Sequence, residues 1–138
     1  MHDPSGLVIR AFAPSDQAAA RRLILEGLAE HFGAVDETLN PDIEDIAANY
    51  VDCGYLFLVA DDAESLIGTA ALVFEEGVSA QVVRVSVASR WRRRGLARAL
   101  VLRLIETGRG RSLARLWMET NDDWGPAIAL YRACGFVR

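Results

Sequence analysis

The chain has 138 residues, of which 51% are hydrophobic and 25% are charged, and its formal net charge is −4. This length suits a single domain around one core. No apolar run reaches the length of a membrane span. The N-terminus lacks the basic and apolar regions of a signal peptide, which predicts a cytoplasmic protein with no membrane partner. Cys53 and Cys134 fit no metal-ligand spacing, so we predict buried free thiols and no metal site.

Acidic and basic residues are divided unevenly along the chain. Residues 1–89 contain 15 acidic and 4 basic residues, whereas residues 90–138 contain 4 acidic and 11 basic ones, all of them arginine. The second part therefore favours an anion and the first part a cation. Solvated charged faces explain the acidic excess equally well. The acidity of the whole chain, and the restriction of the arginine cluster to one short loop, argue against a nucleic-acid partner.

Hydrophobic periodicity and turn residues predict alternating strands and helices. In chain order, the predicted elements are a strand over 7–12, helices over 13–28 and 40–51, strands over 55–60, 66–74 and 81–87, a helix over 94–107, a strand over 113–119, a helix over 125–134 and a strand over 136–138. Gly27 weakens the end of the first helix. The stretch 30–39 has no period and is predicted to be a loop. The stretch from Gly108 to Gly110 is predicted to end the third helix.

The second predicted helix has clear signals at its start. Asn40 is a good cap, and Pro41 suits the first helical position. Apolar residues then recur at helical spacing, which predicts one buried face. That face consists of Ile43, Ile46, Ala47, Tyr50 and Val51.

A run of arginines joins the strand at 81–87 to the following helix. Val83, Val85 and Val87 alternate with more polar residues, which predicts one buried face on the strand. Gly95 allows a ligand to approach the backbone, where the first amide groups of the helix and its dipole favour an anion. Four arginines can add charge-assisted contacts to a pyrophosphate, namely Arg92, Arg93, Arg94 and Arg98. The alternative is a solvated arginine cluster at a helix start.

This junction resembles that of the GNAT acyltransferase superfamily, whose motif R/Q-x-x-G-x-G/A is matched by Arg92, Gly95 and Ala97. The resemblance implies that the loop binds the pyrophosphate of acetyl-CoA. It also implies that the pantetheine arm lies where the strand at 81–87 bulges and diverges from the strand at 113–119. The cofactor-binding residues implied in this way are Val85, Val87, Arg92, Arg93, Arg94, Gly95, Leu96, Ala97, Arg98 and Asn121.

A second motif lies near the C-terminus, where residues 127–136 read A-I-A-L-Y-R-A-C-G-F. They resemble the A-x-x-L-Y-x-x-x-G-F ending of GNAT enzymes. The resemblance implies a catalytic role for Tyr131, whose neutral phenol can protonate the departing CoA thiolate. The alternative is that Tyr131 belongs to an ordinary helix face packed in the core.

The sequence defines the general base less sharply. Many GNAT enzymes have a glutamate where this chain has Gln81, whose amide cannot serve as a base. We predict that Glu119, at the end of the next strand, is the catalytic substitute. The alternative for Glu119 is an exposed acid at a strand end. Asp122, Asp123 and His31 are weaker candidates.

The predicted order β-α-α-β-β-β-α-β-α-β matches the GNAT fold, an α/β (α+β) arrangement with a mixed, mostly antiparallel central sheet flanked by helices. We therefore predict one GNAT domain over 1–138. The final strand of the family is absent, which indicates truncation or a strand supplied by a partner, as in a homodimer. The predicted function is acetyl transfer from acetyl-CoA to a primary amine of a small molecule or peptide, with a cationic acceptor favoured. A non-catalytic module of the same fold that binds acyl-CoA is the alternative.

Overall fold

The computed structural model describes residues 7–33, 40–75, 78–111, 113–118, 132, 134 and 135, with 31 and 32 described by their backbone alone. Its strands are β1 (Val8–Ala11), β2 (Leu56–Asp61), β3 (Leu66–Phe74), β4 (Ser79–Val87) and β5 (Arg115–Trp117). Its long helices are α1 (Gln17–Phe32) and α2 (Leu96–Gly110).

The strands form one sheet in the order β1-β2-β3-β4-β5. Neighbouring strands run antiparallel from β1 to β4, and β5 runs parallel to β4. The crossover from β4 to β5 contains α2, as a parallel connection requires. This arrangement confirms the predicted mixed, mostly antiparallel sheet flanked by helices.

Apolar side chains cover both faces of the sheet, which lies between the two helices. In β2 the faces alternate, because Phe57 and Val59 pack with α1 whereas Leu58 and Ala60 pack with α2. From the helices, the buried contributors are Ala20, Ile24 and Leu25 on one side and Leu96, Leu100 and Leu104 on the other.

Gly68 in β3 sets the distance between the sheet and the start of α2. A Cβ atom added there would lie 3.0 Å from Leu100 Cδ1, 3.3 Å from Leu96 Cδ2 and 3.4 Å from Ala60 Cβ. Gly68 also pairs with Val87, the last residue of β4. The missing side chain therefore lets α2 begin close to the end of β4.

We expect Gly68→Val to destabilise the fold by about 2 kcal/mol, because the new side chain would displace both leucines of α2. The melting temperature should then fall by about 7 °C for a chain of this size. Gly110→Val is the control, since an added Cβ there meets nothing within 4 Å. Equal melting temperatures for the two variants would contradict the close approach at Gly68.

The prediction of one continuous helix over 40–51 is wrong. A 3-10 helix covers Pro41–Glu44 and a π-helical turn covers Ala47–Val51. Between them, Asp45 is extended, with φ −147° and ψ 87°. The predicted face is buried at three of its positions, but Val51 at its end is 46% exposed.

The break in this segment is bridged by Gln17 of α1. Its Nε2 donates to the carbonyl of Ile43 (2.8 Å), and its Oε1 accepts from the amide of Ile46 (2.9 Å). The side chain thereby satisfies backbone groups that a continuous helix would have paired within itself. Local capping signals cannot predict this contact, because Gln17 is distant in sequence.

Helix α1 extends past Leu28, where we predicted its end, and past Gly27, which was predicted to weaken that end. Gly33, with φ 81°, ends the helix instead, and its amide donates to the carbonyl of Ala29 (2.7 Å). Gly27 lies inside the helix and faces β4, where an added Cβ would lie 3.8 Å from Ser86 Oγ. Gly27 therefore serves packing rather than termination.

Helix α2 continues through Gly108 and ends at Gly110, within the stretch 108–110 that was predicted to stop it. Gly108 is buried, and an added Cβ would lie 3.3 Å from Leu113 Cδ1. Its carbonyl also accepts from the Leu113 amide (3.0 Å). The helix begins at Leu96, two residues later than predicted, because Arg93 and Gly95 in the preceding turn have positive φ.

The two thiols differ in their surroundings. Cys53 is exposed, so its prediction as a buried thiol is wrong, and its Sγ donates to the carbonyl of Ala48 (3.4 Å). Cys134 is partly buried. Burial raises the pKa of the Cys134 thiol, and the charge of Arg98 lowers it by a smaller amount. The thiol of Cys134 therefore stays protonated at neutral pH.

The predicted final helix and strand fall largely on residues outside the described ranges. The prediction of a missing terminal strand lies there as well. No helix in the described part of the chain is both long enough and apolar enough to cross a membrane.

Candidate active site

A β-bulge interrupts the pairing of β3 with β4. Thr69 pairs with Ser86, whereas Ala71 pairs with Val83, so one residue of β3 lies opposite two of β4. The two residues of β4 at the bulge include Arg84, whose φ of 54° lies in the left-handed region. Such a conformation costs an L-residue about 1–2 kcal/mol. The buried Thr69 hydroxyl donates to the Arg84 carbonyl (2.8 Å) and holds the bulge from the side of β3.

The bulge changes which face of the sheet the side chains of β4 occupy. Val83 packs with the α1 side, whereas Val85 and Val87 pack with the α2 side. The prediction that these three valines share one buried face is therefore wrong. A strand with an extra residue shifts its alternation by one position.

Strands β4 and β5 are paired at one end only. Their register runs from Ser79 opposite Arg115 to Gln81 opposite Trp117, although β4 continues to Val87. Within the described residues, the edge of β4 beyond Gln81 is therefore not covered by β5. This open edge contains the bulge and leads towards the start of α2.

Glu75 holds the paired end together. Its Oε1 accepts from Trp117 Nε1 (2.7 Å) and from Ser79 Oγ (2.9 Å). Hydrogen bonds from Trp117 and then Ser79 hold the pKa of Glu75 below its usual value. The carboxylate thus joins the first residue of β4 to the last residue of β5.

The turn before α2 has the form of an anion-binding loop. Arg93 and Gly95 both have positive φ, 63° and 82°, and these left-handed residues keep the helix from starting before Leu96. No side chain of the described residues caps this helix. An added Cβ at Gly95 would meet nothing within 4 Å. Its surroundings therefore leave space for a ligand beside the first amide groups of α2.

The arginines around this turn are held in different ways. Arg92 forms an ion pair with Glu30 of α1, and its Nε donates to the Val87 carbonyl (3.3 Å). The guanidinium of Arg94 lies 5.3 Å from the centre of the Trp91 ring. Arg93 and Arg98 make no ion pair within the described part of the chain, and both are exposed.

The ion pair between Glu30 and Arg92 was not predicted from the sequence, and it reduces the positive charge available to bind an anion. We expect Glu30→Gln to strengthen CoA binding by about threefold at 50 mM salt, because it removes a negative charge beside the turn that is predicted to bind the phosphates. Isothermal titration at two salt concentrations would measure the gain, which should shrink at 500 mM salt.

Glu44→Gln is the matched control for this prediction. Glu44 forms a similar exposed pair with Arg21 (3.0 Å), on the segment that follows α1. Its replacement should leave CoA affinity within measurement error. Weaker CoA binding by Glu30→Gln would contradict the assignment of Arg92 to the phosphate site.

A second polar cluster lies on the α1 side of the sheet, around the side chain of Arg84. Arg84 donates to both carboxylate oxygens of Asp42, at 3.0 Å from Nε and 2.7 Å from Nη2, and to Asn40 Oδ1 (3.1 Å). The hydroxyl of the buried Tyr50 donates to Asp42 Oδ2 (2.6 Å).

The charges in this cluster stabilise one another. Burial raises the pKa of Asp42, but hydrogen bonds from Arg84 and Tyr50 outweigh it, so the pKa lies below its usual value. Burial and then the hydrogen bond to Asp42 raise the pKa of Tyr50. At neutral pH, Asp42 is therefore an anion, and Tyr50 remains a proton donor to it.

Several predicted site residues fall outside the described ranges. These are Tyr131, Glu119 and Asn121, together with Asp122, Asp123 and the side chain of His31. The predicted cofactor-binding residues from Val85 to Arg98 are described, and the fold brings them together along the open edge of β4 and the turn before α2. Among the described residues, no group of His, Cys, Asp and Glu is placed to hold a metal ion.

Comparison with known proteins agrees with this geometry. Residues 20–136 match the model of the acetyltransferase (GNAT) family. The chain therefore belongs to the GNAT acetyltransferase family.

Named relatives and a solved structure are similar to this chain. Human N-acetyltransferase 8B is 31% identical over 110 residues, which cover 75% of this chain and 48% of that protein. The ribosomal protein bS18 alanine N-acetyltransferase of Salmonella typhimurium is 35% identical over 81 residues, 59% of this chain and 53% of that protein. The chain thus spans about half the length of these curated relatives. PaiA N-acetyltransferase from Thermoplasma acidophilum, solved in complex with coenzyme A, superposes with a TM-score of 0.83 at 16% identity, over 95% of this chain and 89% of that one.

Proposed function

We propose that this protein transfers an acetyl group from acetyl-CoA to a primary amine. One observation supports the proposal above the others: beyond Gln81 the edge of β4 has no partner among the described residues, contains the bulge at Arg84, and leads through Val87 to the turn at Gly95. A ligand with a diphosphate and a long arm would fit along this edge, with its charged part at the turn. Acetyl-CoA would supply the acetyl thioester there.

The diphosphate would be held mainly by backbone groups. The amides of Leu96, Ala97 and Arg98 have no acceptor within the helix, and the helix dipole favours an anion beside them. Arg92, Arg93 and Arg94 add positive charge around the turn. The space at Gly95 is consistent with close approach of a phosphate to the backbone.

The thioester would be oriented by the backbone of β4. A bulged strand leaves backbone groups outside the regular ladder, and the edge beyond Gln81 has no described partner strand. We assign the amides near Val85 and Val87 to the contact with the thioester carbonyl oxygen. Fixed donors at that oxygen would stabilise the charge that develops on it during transfer.

Two further residues complete the proposal. Tyr131 donates its hydroxyl proton to the CoA sulfur as the carbon–sulfur bond breaks. Glu119 accepts the proton that the attacking amine loses. If the amine arrives neutral and the proton that it loses after attack goes to water, Glu119 contributes little to turnover.

The acceptor is proposed to be a cationic amine. The acidic excess in residues 1–89 supports this choice. The Salmonella relative is named for an alanine of a ribosomal protein, so a peptide N-terminus is one of the acceptors to test. A lysine side chain and a polyamine are the others.

Release of free thiol from acetyl-CoA would test the function. The panel would contain an alanine-terminated peptide, a lysine peptide with a blocked N-terminus, spermidine and the anionic amine taurine. We expect turnover with at least one of the first three and little with taurine. Equal rates with cationic and anionic amines would refute the acceptor class. CoA binding without thiol release would leave the non-catalytic acyl-CoA module as the better interpretation.

A further inference from the structure

Arg84 occupies an unusual place for a long charged side chain. It lies within a central strand, and its side chain is only 19% exposed. Its backbone adopts the left-handed φ of 54° at the bulge. A residue that adopts this φ without strain would be more stable at this position. The contacts that hold Arg84 in place therefore have to offset the strain.

Those contacts act from two sides. On the β3 side, the Thr69 hydroxyl donates to the Arg84 carbonyl (2.8 Å). On the α1 side, the guanidinium binds both oxygens of Asp42 and the side-chain oxygen of Asn40. The bidentate geometry fixes the direction of the guanidinium as well as its distance. The bulge is therefore attached to the segment that begins at Asn40.

That segment has its own attachments to the core. Asp42 accepts from the buried Tyr50 hydroxyl (2.6 Å), and the amide of Ile46 is held by Gln17 of α1. The segment is fixed to α1 and to the sheet, and Arg84 connects it to the strand against which the thioester is proposed to lie.

We propose that Arg84 is a positioning residue for acetyl transfer, because its ion pair with Asp42 fixes the bulged backbone of β4 relative to the segment over 40–51. This inference rests on the proposed function and deepens it. Arg84 does not touch the thioester in this account. It acts through the amides that follow it in the strand, so its loss should affect transfer more than cofactor binding.

Asp42→Asn and Arg84→Gln test the inference directly. Each keeps a polar side chain and breaks the charged pair; Asn matches Asp in size, whereas Gln is shorter than Arg. We expect each to lower kcat about tenfold, while the KM for acetyl-CoA and the Kd for CoA change by less than twofold. Combining both changes should cost no more than either alone, because residues that act as a pair are not additive.

Arg84→Lys and Arg21→Gln separate positioning from general loss of stability. Lysine keeps the charge but loses the bidentate fork, so Arg84→Lys should retain a kcat between those of wild type and Arg84→Gln. Arg21→Gln breaks the pair with Glu44 on the same segment without involving β4. It should keep wild-type kcat and KM. Melting temperatures measured for every variant would show that each is folded at the assay temperature.

The outcomes divide clearly. The inference is overturned if folded Asp42→Asn and Arg84→Gln retain kcat within twofold of wild type, if their kcat losses are additive, or if CoA affinity falls in parallel with kcat. It is also overturned if Arg21→Gln loses as much activity as they do. A wild-type protein that neither binds CoA nor releases thiol would instead refute the proposed function, and the role of Arg84 with it.

Discussion

Gly95→Val is expected to weaken CoA binding by about 100-fold, which corresponds to about 2.7 kcal/mol. Two effects combine in this change. A β-branched residue strongly disfavours the φ of 82° that Gly95 adopts. Its side chain would also occupy the space beside the first amides of α2, where we place the diphosphate. Isothermal titration with CoA would measure the loss.

Gly54→Val is the matched control for Gly95→Val. Gly54 has φ 81°, and an added Cβ there also meets nothing within 4 Å. Gly54 lies just before the end of β2 that pairs with Leu72. The turn proposed to bind the phosphates follows Val87, at the opposite end of the sheet. Both variants should lose similar thermal stability, but only Gly95→Val should lose CoA affinity. Equal CoA affinity in the two variants would refute the phosphate site.

Tyr131→Phe is expected to lower kcat for acetyl transfer by about 100-fold, the lower end of the range for removing a general acid. Affinity for CoA should change by less than twofold, because the hydroxyl is assigned to the departing sulfur and not to cofactor binding. Thiol release measured at saturating acetyl-CoA, with the fastest amine of the panel, would report kcat. Titration with CoA would report the affinity.

The pH profile adds a second test of Tyr131. If the phenol donates a proton, wild-type kcat should fall as the pH rises through the pKa of Tyr131, ordinarily near 10. Tyr131→Phe should lack this decline. Tyr55→Phe, which removes a hydroxyl from a partly buried ring beside Tyr50, should keep both the rate and the decline. An unchanged kcat in Tyr131→Phe would remove this residue from the mechanism.

Local signals in the sequence predicted the sheet and the turn before α2 well. Strand β3 covers the predicted residues 66–74, because its apolar residues are bounded by turns on both sides. Gly95 was identified as the residue that allows a ligand to approach the start of the helix, and its φ of 82° is one that glycine adopts readily. These features depend on neighbours in the chain, which is why periodicity and residue type suffice to find them.

Contacts between distant parts of the chain were not predictable in the same way. Gln17 bridges the break in the segment over 40–51, and Arg84 moves the following valines to the other face of β4. One signal was present: an arginine in the middle of an apolar strand is rarely buried without a partner. The partner, Asp42, could be found only from the fold. The roles of Tyr131, Glu119 and Asn121 stay predictions.

The hydrogen bonds that Glu75 accepts from Trp117 and Ser79 affect the proposed cleft between β4 and β5. Because Glu75 joins Trp117 to Ser79 at one end of this cleft, a small rotation of β5 would widen the other end while the joined end stays in place. Such a rotation would move Leu116 of β5, which packs beneath Gly108 of α2, so the side chains there would have to repack. The angle between β4 and β5 would then set the largest acyl group that the cleft admits, with no new side chain required.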